Sequence, residues 1–294
     1  MSLRDIFIAL VLALVWGFSF ITIKWGVMEV PPFMFSALRF FFAAIPAIFI
    51  IARPKVDWRV VVAYGFAIGV VQFGLLFIAI RNGMPVGLAS LVVQMHAFFT
   101  IFLAWYAMGE RPAAAQIKGA LIALAGVALI GSERLEGAAF VPFALTLCAA
   151  FSWGVGNTLG KLVPQREIVP FMVWSSLAAP LPLVLLSLLF EGMSGVEAVL
   201  APMWVGIGCA VFLAYAATLF GFVVWGRLLS KYPAALVAPY AMLVPVFGMA
   251  FSWGLLRETF SAIELVGAGL VLAGLSFHTI SGRVGGAISS TPAD

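Results

Sequence analysis

Two nine-residue stretches hold much of the polar chemistry that this very apolar chain retains. "WGFSFITIK" (16–24) and "WGVGNTLGK" (153–161) both open on Trp-Gly and close on Lys. Trp16, Phe20 and Lys24 stand at i, i+4 and i+8, as do Trp153, Asn157 and Lys161, so on a helix each trio shares one face. Rings, an amide and a cation on one face suit a zwitterionic ligand, with Lys24 at an outer mouth drawing in a carboxylate. The same lysines, each near the end of an apolar stretch, also read as anchors whose ammonium groups reach the headgroups.

Other candidates are scattered singly. Gln72 shares a helical face with Gly65, Gly69 and Leu76, which fits either an interhelical hydrogen bond beside a small-residue seam or an amide offered to a ligand. Gln94 and His96 are two positions apart, so a regular helix points them to opposite faces, Gln94 with Phe98 and His96 with Thr100. His96 is either a packing residue or the group through which a proton would couple. Tyr215 and Tyr240 bring rings with a polar tip. Arg39 lies roughly 9 Å inside its segment at 1.5 Å per residue, and reads as a structural group reaching back to the interface, toward Glu29. No acidic residue falls near the middle of an apolar stretch, the histidines are His96 and His278, and there is no HExxH. Neither a nucleophile with its base nor a metal cluster is expected, and no catalytic residue, metal or cofactor is assigned.

The elements that must position these residues are lipid-embedded helices. Of 294 residues 64% are hydrophobic and only 10% charged, against ~45–50% and ~25% in soluble domains. Mean hydropathy is +1.16. Ten stretches are long and apolar enough to cross a bilayer: 6–26, 33–51, 60–80, 85–108, 115–131, 140–162, 168–190, 203–226, 233–256 and 262–281. The short alternating segments of a β-barrel are missing. The first stretch follows only Arg4 and Asp5 and is read as a retained helix. Cys148 and Cys209 fall inside spans, as buried small apolar residues. With the N-terminus inside, eleven Lys and Arg lie on the inner side and four on the outer, which puts both termini in the cytoplasm. The pI near 9.3 reflects these loop charges and not a nucleic-acid partner.

The two Trp–Lys stretches lie 153 − 16 = 137 residues apart. A second echo joins "GERPAAAQIKGALIALAG" (109–126) to "RETFSAIELVGAGLVLAG" (257–274), matching Glu110 with Glu258, Gly119 with Gly267 and Gly126 with Gly274 at an offset of 148. The fold expected is an all-α polytopic membrane protein whose ten transmembrane helices form two inverted five-helix repeats. Five is odd, so the second copy enters the membrane from the other side. The repeats are assigned to 1–134 and 135–282, with a mobile tail at 283–294.

"IIARPKV" (50–56), "GMPVGLASLVVQMHAFFTI" (83–101), "AAFSWGVGN" (149–157) and "LVPVFG" (243–248) resemble drug/metabolite transporters of the EamA type. Within them the chain is similar to exporters of O-acetylserine and cysteine and to YddG-type exporters of aromatic and other amino acids. His96 stands where the cysteine exporters have the second Gln of a QxQAFFT pattern. The resemblance implies a bacterial inner-membrane exporter of amino acids; two inverted repeats in one chain point to a monomer working by alternating access, and the aromatic and amide stripes to broad specificity. The alternative is a proton-coupled exporter specific for O-acetylserine and cysteine or for aromatic compounds. Small multidrug exporters of the same superfamily use a membrane-embedded Glu, which this chain lacks. Phosphate-carrying relatives need several cations, and mid-span Lys and Arg are scarce here.

Overall fold

The computed structural model describes residues 1–134 and 139–288, with side chains at 234, 235 and from 278 onward outside the description, His278 among them. Local chemistry sets the helix ends. Ser2 Oγ accepts the Asp5 amide at 3.2 Å and starts α1 (Leu3–Glu29), which stops at the extended Val30 before two prolines. Pro32 opens α2 (Pro32–Ile50), where its missing N–H costs nothing. Asp57 caps α3 (Trp58–Arg81) through the Arg59 amide at 2.9 Å. α4 (Val86–Met108) follows Pro85 and ends on Gly109, whose φ of 71° needs no Cβ. α5 (Ala114–Ser132), α6 (Phe140–Gly160), α7 (Gln165–Phe190), α8 (Trp204–Lys231) and α9 (Leu236–Leu256) continue the series. α10 (Ala262–Ile288) completes it.

The ten expected spans are therefore ten helices. Among the described residues nine are long and apolar enough to cross a membrane, and the tenth is apolar over Ala262–Phe277, where the described side chains of that helix end. No strand occurs among the described residues. The α10 backbone continues to Ile288, so half of the segment 283–294 is helical; 289–294 lie outside the described residues. One expectation needs correction. Cys209 is buried, but Cys148 is exposed, because it shares the outward stripe of α6 with Val141 and Phe151. Neither cysteine is bonded.

The packing repeats as the sequence does. α1 lies against α9, where a Cβ on Gly17 would sit 2.6 Å from Phe247 Cβ; α6 lies against α4, where one on Gly154 would sit 2.8 Å from Phe99 Cβ. This is one contact made twice, since 154 − 17 = 137 and 247 − 99 = 148 reproduce both sequence offsets. α5 and α10 cross so closely that a Cβ on Gly126 would come 2.6 Å from the Gly267 carbonyl, and one on Gly274 2.4 Å from that of Gly119. The membrane face at which α1 begins is called here the N-face, and the opposite one the far face.

Irregular turns also recur in pairs. α3 is π-helical over Phe66–Gln72 and α8 over Leu213–Phe220. α4 tightens to a 3₁₀ turn over Val93–Met95, and α9 breaks at Met242, between Pro239 and Pro245. Non-helical backbone at membrane depth persists only inside protein or beside a cavity, and these four breaks all border one.

Candidate functional site

A cavity of about 410 Å³ lies between the two halves. Seven of the residues singled out in the sequence line it: Trp16, Phe20, Gln72, Gln94, His96, Trp153 and Asn157. The π-helical segments explain how two walls are fixed. A π turn shifts the backbone ladder and leaves a carbonyl short of its usual partner. Trp16 Nε1 donates to the Ala217 carbonyl at 2.8 Å, tying α1 to the irregular part of α8. Ser152 Oγ donates to the Ala67 carbonyl at 2.8 Å, tying α6 to the irregular part of α3. Each half thus uses its first helix to satisfy the third helix of the other.

Gln94 and His96 both face the cavity, which corrects the expectation of opposite faces. The 3₁₀ turn at 93–95 is the reason: at about three residues per turn, two positions no longer fall on opposite sides. His96 stacks on Trp153 with ring centres 4.1 Å apart and planes at 23°. Asn157 Nδ2 lies 3.2 Å from His96 Nδ1 and donates to Thr100 Oγ1 at 3.1 Å. An amide nitrogen can only donate, so at this contact Nδ1 is the acceptor. This group divides the cavity from a second chamber of about 370 Å³, which runs past Thr100 to Lys161 and Glu110 at the N-face.

The two membrane faces are held differently. On the far face, Glu258 accepts the Val86 and Gly87 amides at 2.7 and 3.0 Å, closing the start of α4. Glu191 does the same for Phe33 and Met34 at the start of α2, at 2.7 and 3.3 Å. Carboxylates on such amides are charge-assisted and lie where a helix favours negative charge. Glu29 accepts from the Gly206 amide, and Arg81 donates to the Val27 carbonyl. Phe35, Phe77, Ile80 and Leu88 pack solidly within the same half of the molecule. On the N-face, Lys161 pairs with Glu110, and Lys231 and Tyr232 both hold Asp5 at 2.6 Å.

Four sequence candidates lie off the cavity wall. Lys24 turns aside and donates to the Ile80 carbonyl at 3.3 Å. Phe98 is buried in the main apolar cluster. Tyr215 is partly exposed and reaches the Ile45 carbonyl at 3.4 Å. Tyr240 packs with Leu12, Val237 and their neighbours.

The EamA-like transporter family matches this chain twice, over residues 3–132 and 142–280. The chain belongs to that family. It is 41% identical over 291 residues to a protein of Salmonella typhimurium named "Probable amino-acid metabolite efflux pump", spanning 97% of each chain. A protein of Escherichia coli K12 with the same name is 40% identical over 290 residues, spanning 96% of this chain and 97% of that one. A "Probable terminal-alkyne amino-acid exporter" of Streptantibioticus cattleyicolor is 28% identical over 233 residues, 76% of this chain and 74% of its own. A crystal structure at 21% identity superposes with a TM-score of 0.64 over 96% of this chain and 99% of that one, a likeness of fold.

This EamA-like transporter also lines its cavity with residues that the sequence reading passed over. Tyr64, Phe222 and Trp225 add rings, and Thr218 adds a hydroxyl. The main correction is Arg39. It does not reach out to Glu29, which is engaged by Gly206. It is buried, faces the cavity, donates from Nη2 to Thr218 Oγ1 at 3.2 Å, and lies 3.6 Å over the Phe73 ring. The signal was present, a cation well inside a span, but its helical face was not readable without knowing where α8 packs.

Proposed function

We propose that this EamA-like transporter exports amino acids of varied size across the bacterial inner membrane by alternating access, with the N-face cytoplasmic. The observation that carries the reading is the 410 Å³ cavity between the two halves, walled among the described residues by rings, amides and one cation and by no acidic residue. Its volume falls within the ~300–1,000 Å³ of small-molecule sites. Apolar walls with few polar groups tolerate different side chains. The export direction is supported by the names of the relatives at 40–41% identity, both amino-acid metabolite efflux pumps. Eleven Lys and Arg against four support the orientation. One chain holds both repeats, which supports a complete pathway in a monomer.

The two faces support alternating access through their difference. Glu258 and Glu110 are repeat partners, yet Glu258 caps the start of α4 while Glu110 pairs with Lys161. Lys24 is the repeat partner of Lys161, and Pro233 that of Pro85. In the opposite state the roles exchange: Glu110 caps the helix that starts after Pro233, and Glu258 pairs with Lys24. The present arrangement is then the inward-facing one. Uptake of labelled Thr, Met, Cys, Phe, Lys and Glu into liposomes holding the purified chain tests the reading. Uptake of several is expected; movement of none under any gradient would overturn it.

A further inference from the structure

Two polar side chains in the cavity wall have no adequate partner. Arg39 is 6% exposed, and among the described residues no carboxylate pairs with it. Its contacts are one hydroxyl and the rings of Phe73 and Phe40, and its Nε has no acceptor. Gln72 is fully buried on the neighbouring helix, and neither Oε1 nor Nε2 has a partner. A buried cation and a buried amide both cost stability when left unmatched. Both line the same cavity, beside apolar rings that raise the strength of any charge interaction made there. Among the described residues no Asp or Glu lines that cavity, so an ammonium group finds only ring faces, hydroxyls and carbonyls there.

We propose that Arg39 is the anchor for a substrate carboxylate, with the Gln72 amide beside it, and that the carboxylate and not the ammonium is the obligatory recognition element. The site therefore takes monocarboxylates with an apolar remainder: amino acids, and equally their 2-oxo acids and N-acyl derivatives. A phosphate ester is excluded, since a dianion is held by several cations and among the described residues Arg39 is the only Lys or Arg on the cavity wall. The guanidinium fork matches a carboxylate in a way an ammonium does not. The proposal rests on the cavity being the transport site proposed above.

The test uses the full chain in detergent micelles and follows tryptophan fluorescence, since Trp16, Trp153 and Trp225 line the cavity. The probes are L-leucine, 4-methyl-2-oxopentanoate, N-acetyl-L-leucine, L-leucine methyl ester and 3-methylbutylamine, followed by the corresponding phenylalanine series read by thermal shift. The three carboxylates are expected to bind within about tenfold of one another, and the ester and the amine at least about tenfold more weakly, one decade being a difference of 1.4 kcal/mol. Arg39→Met is expected to lose the preference of acid over ester, and Arg39→Lys to keep part of it. A purely structural Arg39 would weaken acid and ester alike. Ester or amine binding as tightly as the acid in the native chain overturns the proposal without need of any variant, and leaves amino-acid transport standing. Binding of the oxo acid by a chain that moves no amino acid overturns the transport reading and leaves the anchor. Binding of none of the probes overturns both.

Discussion

Asn157 has two amide hydrogens and spends one on His96 Nδ1 and the other on Thr100 Oγ1. At this contact Nδ1 accepts, so Asn157 holds the His96 ring as a fixed part of the cavity wall. Uptake is therefore expected to run equally well with and without an imposed pH gradient. A gradient-driven rate that His96→Ala abolishes would contradict this. Asn157→Leu removes both donations and is expected to lower stability by about 1–3 kcal/mol, read as a drop in apparent Tm in detergent, with slower uptake. At this scale the residue types were readable from the chain and their directions only partly. Trp16, Phe20, Trp153 and Asn157 follow regular helical spacing and met at the cavity. Lys24, eight positions after Trp16, drifts off the stripe and finds the Ile80 carbonyl.

Two glycines of α10 stand two positions apart and face opposite ways. A Cβ on Gly267 would lie 2.7 Å from Ile130 Cγ1 and 2.8 Å from the Gly126 carbonyl, while one on Gly269 would meet nothing within 4 Å. Gly267→Ala must push α5 and α10 apart and is expected to destabilise by about 1–3 kcal/mol. Gly269→Ala is expected to stabilise by up to ~1 kcal/mol through helix propensity. Opposite shifts in apparent Tm check the pair, and equal shifts would contradict the crossing. The ends of α4 and α9 offer a second comparison. Gly109 and Arg257 are repeat partners, 257 − 109 = 148, and both adopt left-handed backbone, with φ of 71° and 56°. Only the arginine pays for it, so Arg257→Gly is expected to raise stability by somewhat under ~1 kcal/mol. Element positions were legible because lipid demands long apolar runs, and the α5–α10 crossing because its glycines recur at spacing seven. The 3₁₀ turn at 93–95 was not. "VQM" carries no proline or glycine, so nothing local announces the turn that brings Gln94 and His96 to one wall.

Across the whole molecule, under the alternating access proposed above, the inverted repeat gives the two states nearly equivalent contacts, so small local terms decide which is populated. Repetition was visible in the chain, but a sequence written for both states cannot say which one a structure adopts. Lys161 and Glu110 keep 39% and 54% of their side-chain surface exposed, and a solvated pair of this kind is worth at most ~1 kcal/mol. Lys161→Met removes a contact of the present state and frees Glu110 to cap the helix after Pro233. Lys24→Met spares the present state all but one long hydrogen bond and removes the partner that Glu258 meets in the other. The two substitutions are expected to shift the equilibrium in opposite directions, each by up to about fivefold for ~1 kcal/mol. The shift can be read in a background with Cys148 and Cys209 replaced by Ala and a single Ile23→Cys, a cavity position toward the far face. Labelling by a membrane-impermeant maleimide from the far side should quicken with Lys161→Met and slow with Lys24→Met. Changes of the same sign in both would mean that the two carboxylates do not exchange roles, and that the faces open by separate devices.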